Sequence, residues 1–106
     1  MVRHKSLCFL CLDMIDTAGT LCTAAQHLIE RGAVAVCACV THGVFSPPAF
    51  ERINKSVIEQ IVVTDSISQE RNLELCKKLH VLSVAPLLAD TIRRIHDEDS
   101  VSSLFT

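Results

Sequence analysis

The stretch Leu10-Cys11-Leu12-Asp13-Met14-Ile15-Asp16-Thr17-Ala18-Gly19-Thr20 carries the reading of the fold. An apolar run that begins at Ser6 ends in two acids, and small hydroxylated residues and a glycine follow. Ser6 to Leu12 is short and continuously apolar, the pattern of a strand covered on both faces. From Thr20 to Arg31 the period changes, because Leu21, Ala24, Ala25 and Leu28 fall on one stripe of an amphipathic helix. Gly32 then supplies a C-terminal stop. The quoted stretch is therefore a strand-to-helix turn. In Asp16-Thr17-Ala18-Gly19-Thr20 the side chains are small, so backbone N–H groups can converge at the helix start. Those donors and the helix dipole suit an anion, best a phosphate, and Thr17 and Thr20 add hydroxyl donors. The Gly-Lys-Ser/Thr ending of a nucleotide P-loop is missing, and so is a G-x-G-x-x-G loop. Carboxylates beside a phosphate would repel it. Asp13 and Asp16 are therefore expected to face sugar hydroxyls or a magnesium ion. Acids for hydroxyls followed by amides for a phosphate describe a site for a phosphorylated sugar. The plainer alternative is an ordinary N-cap and turn, where Asp, Thr and Gly are common.

Outward from this turn the same alternation continues. Val34 to Val40 is a second buried strand, and Ser46-Pro47-Pro48 is a helix start with Ser46 as cap. Ala49, Phe50, Ile53 and Val57 supply that helix's inner face. A third strand lies in Ile58 to Thr64, a short helix within Gln69 to Lys78, and a fourth strand at Val81 to Val84. Pro86 to His96 is a closing helix expected to bury Leu88, Ile92 and Ile95, with Arg93 and Arg94 favourably placed in its last turn. Apolar strands alternating with helices predict an α/β fold, a parallel sheet with flanking helices. Such a sheet binds ligands at the carboxyl ends of its strands, where both Asp13–Thr20 and Thr41-His42-Gly43 fall. His42 is expected to be a hydrogen-bonded structural histidine. Asp65 ends the third strand near the same crevice, where it could help a metal or simply form a turn.

A chain of 106 residues is expected to form a single domain over 1–106. Apolar residues make up 49% of it, against a disordered reading. A net charge of −2 gives no electrostatic case for nucleic acid or an anionic membrane, and no apolar run approaches the roughly 20 residues a membrane span needs. The basic start followed by Leu7 to Leu12 is too short for a signal peptide and lacks a cleavage site, so a cytoplasmic location is expected. The six cysteines lie mostly in apolar segments. Cys8 and Cys11 form a C-x-x-C, but no second pair completes a zinc site, and metal or redox use is not expected.

On these residues the chain resembles the ribose-phosphate diphosphokinase (phosphoribosyl pyrophosphate synthetase) family. "DMIDTAGT" is similar to the ribose-phosphate loop of the phosphoribosyltransferase fold. "THGVFSPPAFERI", "IVVTDSI" and "VLSVAPLLADTIRRIHDEDSVSSLF" resemble this family in order and spacing, from about Ser6 to Phe105, and "HGVFSPPA" looks most like plant-type members. The resemblance implies a phosphoribosyltransferase-like fold and an activity that moves the diphosphate of ATP onto the anomeric hydroxyl of ribose 5-phosphate, with magnesium. It also implies that Asp16, Thr17, Ala18, Gly19 and Thr20 hold the 5-phosphate, that Asp13 faces the ribose hydroxyls, and that Ser100 and Ser102 belong to an allosteric site between subunits. A plastid location would follow if a full-length form carries a transit peptide.

The resemblance covers most of the second of the family's two halves. The ATP-binding segments and the catalytic lysine and arginine loop lie in family segments that the chain does not match, so the chain alone is expected to be inactive and no catalytic residue is assigned. Leu12 stands where the family loop has the first of two adjacent acids. Family members assemble into hexamers, so a homo-oligomer, or association with full-length subunits, is expected. The alternative to an enzyme fragment is a non-catalytic regulatory or interaction module that binds such subunits. A different phosphoribosyltransferase is disfavoured by the rest of the chain.

Overall fold

The computed structural model describes residues 6–97. Strands β1 (Ser6–Ile15), β2 (Ala33–Gly43), β3 (Ile58–Thr64) and β4 (Leu79–Leu82) alternate with helices α1 (Gly19–Glu30), α2 (Ala49–Lys55), α3 (Asn72–Leu75) and α4 (Ala85–His96). The strands form one parallel sheet in the order β1-β2-β3-β4. The expected α/β class is the fold adopted.

Pairing in register sorts the side chains onto two faces. Leu10 lies beside Ala38 and Ala38 beside Ile61, which aligns a row of apolar side chains under the helices. Val36, Ala38, Val40, Ile61, Val63 and Leu79 are buried there against Leu21 and Ala25 of α1 and Ala49 and Ile53 of α2. Successive strand residues point oppositely. Phe9, Cys11, Asp13, Cys37, Cys39, Val62 and Leu82 therefore share the other face, and no described helix covers it. Phe9 is 59% exposed. The expectation that the first strand is covered on both faces is thus corrected: β1 buries only Ile15 fully.

The closing helix departs further from expectation. No residue of α4 is fully buried, and Leu88, Ile92 and Ile95 are 55%, 68% and 66% exposed. Its apolar stripe is real, but nothing among the described residues covers it. The fourth strand falls two residues early, at Leu79–Leu82, because Leu79 inserts beside Ile61 in the core. Val84 instead donates its N–H to Asp65 Oδ1 at 2.9 Å, and Ala85 donates to Ser83 Oγ at 3.2 Å, which starts α4. Ser46 does not cap α2 with its side chain. Its carbonyl accepts the Ala49 N–H at 2.9 Å, and the helix begins after a turn through Pro47 and Pro48. No described helix is long and apolar enough to cross a membrane.

Candidate functional site

The turn between β1 and α1 is built from its backbone. Ala18 sits at φ 66°, ψ 7°, the left-handed region that an alanine enters only at a cost of roughly 1 kcal/mol or more. It is buried, and its carbonyl accepts the Cys22 N–H at 3.0 Å, the first bond of α1. No side chain caps α1 and no acid lies in its first turn. The leading amides of the helix are thus left for a ligand or water. The Thr17 and Thr20 side chains are exposed beside them. Together with Leu10, Leu12, Met14 and Ala24, residues 15–21 line a cleft of about 330 Å³, the lower end of the range for small-ligand sites.

Two tethers that sequence reading did not find hold this turn. Asp16 Oδ1 accepts the Ser46 N–H at 3.2 Å, which turns the carboxylate toward the β2–α2 connection. Arg52 of α2 donates Nη1 to the Thr17 carbonyl at 3.2 Å. A Cβ on Gly19 would stand 2.9 Å from the same Nη1, so Gly19 is small because the guanidinium passes there. The helical stripe of α2 marked Ala49 and Ile53, but an arginine beside them gives no sequence signal for a partner so distant along the chain.

The neighbouring strand ends are tied by polar bonds. His42 Nδ1 lies 2.7 Å from Ser66 Oγ, and Thr41's carbonyl accepts from Thr64 Oγ1 at 2.6 Å and from Ser66 Oγ at 3.1 Å. His42 is accordingly a hydrogen-bonded residue at the carboxyl end of β2. Gln69, buried and outside α3, donates Nε2 to the Gly43 carbonyl at 2.7 Å and accepts from Asn72 at 2.7 Å. Asp65 faces the start of α4. The Val84 amide and then the Ser83 hydroxyl hold its carboxyl below the usual carboxylate range.

The structure does not gather all the expected site residues in one place. Residues 16–20 share the cleft beside α1, whereas Asp13 lines a separate cleft on the open face with Cys11, Cys39, Thr41 and Thr64. Leu12, where the resembled family has an acid, borders both clefts. Among the described residues no group of three or more acids, histidines or cysteines is arranged to hold a metal ion. Magnesium often takes one or two carboxylates and completes its shell with water and substrate oxygens, a shell that either exposed acid, Asp13 or Asp16, could join. Ser100 and Ser102 lie outside the described residues.

Comparison with known proteins accords with the geometry. The phosphoribosyl synthetase-associated domain matches residues 5–106. The crystal structure of phosphoribosylpyrophosphate synthetase from Mycobacterium smegmatis superposes with a TM-score of 0.81 at 40% sequence identity, over 89% of this chain. The chain spans 32% of that protein's length. A parallel sheet whose first strand opens through a small-residue turn into an uncapped helix, matched over nearly its whole length, places the chain in the phosphoribosyl synthetase-associated domain family.

Proposed function

We propose that this chain supplies the ribose-5-phosphate site of a ribose-phosphate diphosphokinase, the enzyme that converts ATP and ribose 5-phosphate to phosphoribosyl pyrophosphate and AMP in nucleotide biosynthesis. The observation that carries this reading is the α1 N-terminus: amides without a side-chain cap, no acid in the first turn, and Ala18 held in a left-handed conformation. A dianionic phosphate satisfies those donors and meets the positive end of the helix dipole. The placement of Asp16 supports the reading as well. Its carboxylate accepts from the Ser46 N–H, so it braces the loop while its charge is partly taken up by a donor other than the ligand. Asp13 faces the open side of the sheet, so a sugar whose phosphate sits at α1 reaches that carboxylate only around the end of β1, with magnesium arriving on substrate oxygens.

Diphosphate transfer needs groups that position and neutralise the phosphates of ATP. In this reading they come from the rest of a complete enzyme, and the chain's own contribution is to hold and orient the acceptor. Titration calorimetry tests the proposal. Ribose 5-phosphate should bind the chain, ribose should bind far more weakly, and Asp16→Ala should weaken the phosphate-dependent part by loosening the loop. Equal binding of ribose and ribose 5-phosphate, or binding of neither, would overturn it.

A second reading has its own observation. The uncovered sheet face and the exposed stripe of α4 favour a non-catalytic module that associates with a second copy or with full-length diphosphokinase subunits.

A further inference from the structure

The cysteines are sorted by the strand period in a way that their sequence spacing hides. Cys8 and Cys11, the C-x-x-C pair, point to opposite faces of β1, because they are three residues apart on a strand. Cys8 turns toward the helix layer and packs against the core. Cys11 turns to the open face. There its partner in the sheet is Cys39 of β2, and the two line the same shallow cleft. All the cysteines are free thiols.

We propose that Cys11 and Cys39 form a thiol–disulfide exchange site on the open face of the sheet, oxidised by low-molecular-weight disulfides such as oxidised glutathione.

Geometry selects this pair. Partnered residues on neighbouring strands stand about 4.8 Å apart, within the roughly 4.4–6.8 Å that a disulfide spans between Cα atoms, and a closure of a few tenths of an ångström brings the Cβ atoms within the roughly 4.5 Å they need. Cys37 shares the face but lies beside Phe9, two residues along β2 from Cys39. Two strand rises of about 3.3 Å added at right angles to the strand spacing put it roughly 8 Å from Cys11, beyond disulfide reach. Cys22 lies on α1 and Cys76 is buried in the core. β1 is the edge strand of the sheet, so it can shift slightly toward β2 as the bond closes.

The order of events follows from exposure. Cys11 is exposed and Cys39 half-buried. Burial pushes the Cys39 thiol up, and the adjacent Cys11 and Cys37 thiols add to that. Cys11 therefore meets the oxidant first. Its thiolate attacks one sulfur of the small disulfide, a mixed disulfide forms, and one small thiol leaves with a proton from solvent. Cys39, having lost its proton to solvent, then attacks the Cys11 sulfur and expels the second small thiol. The protein gives up two electrons and two protons, and the oxidant is reduced to two thiols. The product ties β1 to β2 two residues before Asp13, on the face that Asp13 shares.

The test is incubation of the whole chain with oxidised glutathione under native conditions, at a dilution where sedimentation shows the monomer, then alkylation of remaining thiols and peptide mapping by mass spectrometry. The expected result is a loss of two of the six titratable thiols and a single intramolecular link between Cys11 and Cys39. Cys39→Ser should stop the reaction at a glutathione adduct on Cys11, and Cys37→Ser should leave the link unchanged. Circular dichroism of each variant confirms that the sheet is retained. A link through Cys8 or Cys37, a link only between chains, or no adduct on Cys11 in a folded Cys39→Ser chain would overturn the proposal.

Discussion

Leu12 shows how much one residue decides at this site. It is half-buried and packs against the core on the helix side, yet it borders the cleft that residues 16–20 line. If the cleft holds the sugar as proposed, an acid at this position would place a carboxylate beside it. Leu12→Asp is therefore expected to tighten ribose 5-phosphate binding, because a charge-assisted hydrogen bond contributes on the order of 1.5–3 kcal/mol, or roughly ten- to hundredfold. The same change removes apolar burial and should lower stability by about 1–2 kcal/mol. Calorimetry and urea denaturation separate the two effects, and a loss of stability with unchanged affinity would show that no sugar lies against position 12. Gly43 gives the opposite case, a residue whose lack of a side chain is required by packing. A Cβ there would press into the Phe45 ring and come within 2.9 Å of Val63 Cγ2. Both neighbours are buried, so Gly43→Ala should cost roughly 1–3 kcal/mol in urea unfolding.

At the scale of elements, helix α4 buries no residue fully and carries a network of exposed charge pairs. Arg93 and then Arg94 hold the Asp90 carboxyl below its ordinary value, through contacts at 2.8 Å and 3.2 Å. A depressed carboxylate stabilises the folded form above the unfolded pKa of about 3.9, and that contribution is lost as pH falls through the lower folded value. Asp65, depressed by the Val84 amide at the head of α4, titrates in the same sense. Helicity by far-ultraviolet circular dichroism should hold from neutral pH down to about 4 and fall below it. Asp90→Asn should already have lost part of that helicity at neutral pH and should change less on acidification. The elements themselves were legible in the sequence because period carries most of the signal. The stripe of Leu21 and Ala25, and the runs around Val36–Val40 and Ile61–Val63, lie where periodicity put them. The turn between β1 and α1 was legible too, because the hydrophobic period changes across Asp16–Thr20. Burial on a single face was not legible. Phe9, Cys11, Val62 and Leu82 are as apolar as a doubly covered strand requires, and composition cannot show whether the cover belongs to the same segment of chain. The tethers from Arg52 and Ser46 to the loop were equally hidden, since they depend on contacts some thirty positions apart.

At the scale of the molecule, the described residues form a thin plate. Its described extents are 54 × 39 × 19 Å, and its radius of gyration of 16.7 Å exceeds the about 13 Å of a compact domain this long. A sheet with helices on one side only, and a last helix that stands away from it, accounts for both values. Such a plate leaves Leu7, Phe9, Val62 and Leu82 facing water on one surface and Leu88, Ile92 and Ile95 on another. β1 adds to this as an edge strand with no charged residue or proline between Ser6 and Leu12 to discourage pairing. The chain should therefore associate with itself at micromolar concentration, and sedimentation velocity should show a species larger than the monomer. Phe9 lies near the middle of the uncovered β1 face. Phe9→Glu removes an exposed aromatic, so it should cost little folding stability, while setting a charge against any partner placed over that face. The expected outcome is a shift of the sedimentation profile to monomer with an unchanged urea midpoint. Ile92→Glu on α4 distinguishes the two surfaces. If it alone produces the monomer, the partner sits on the helix, and if both changes are needed the interface runs across the two.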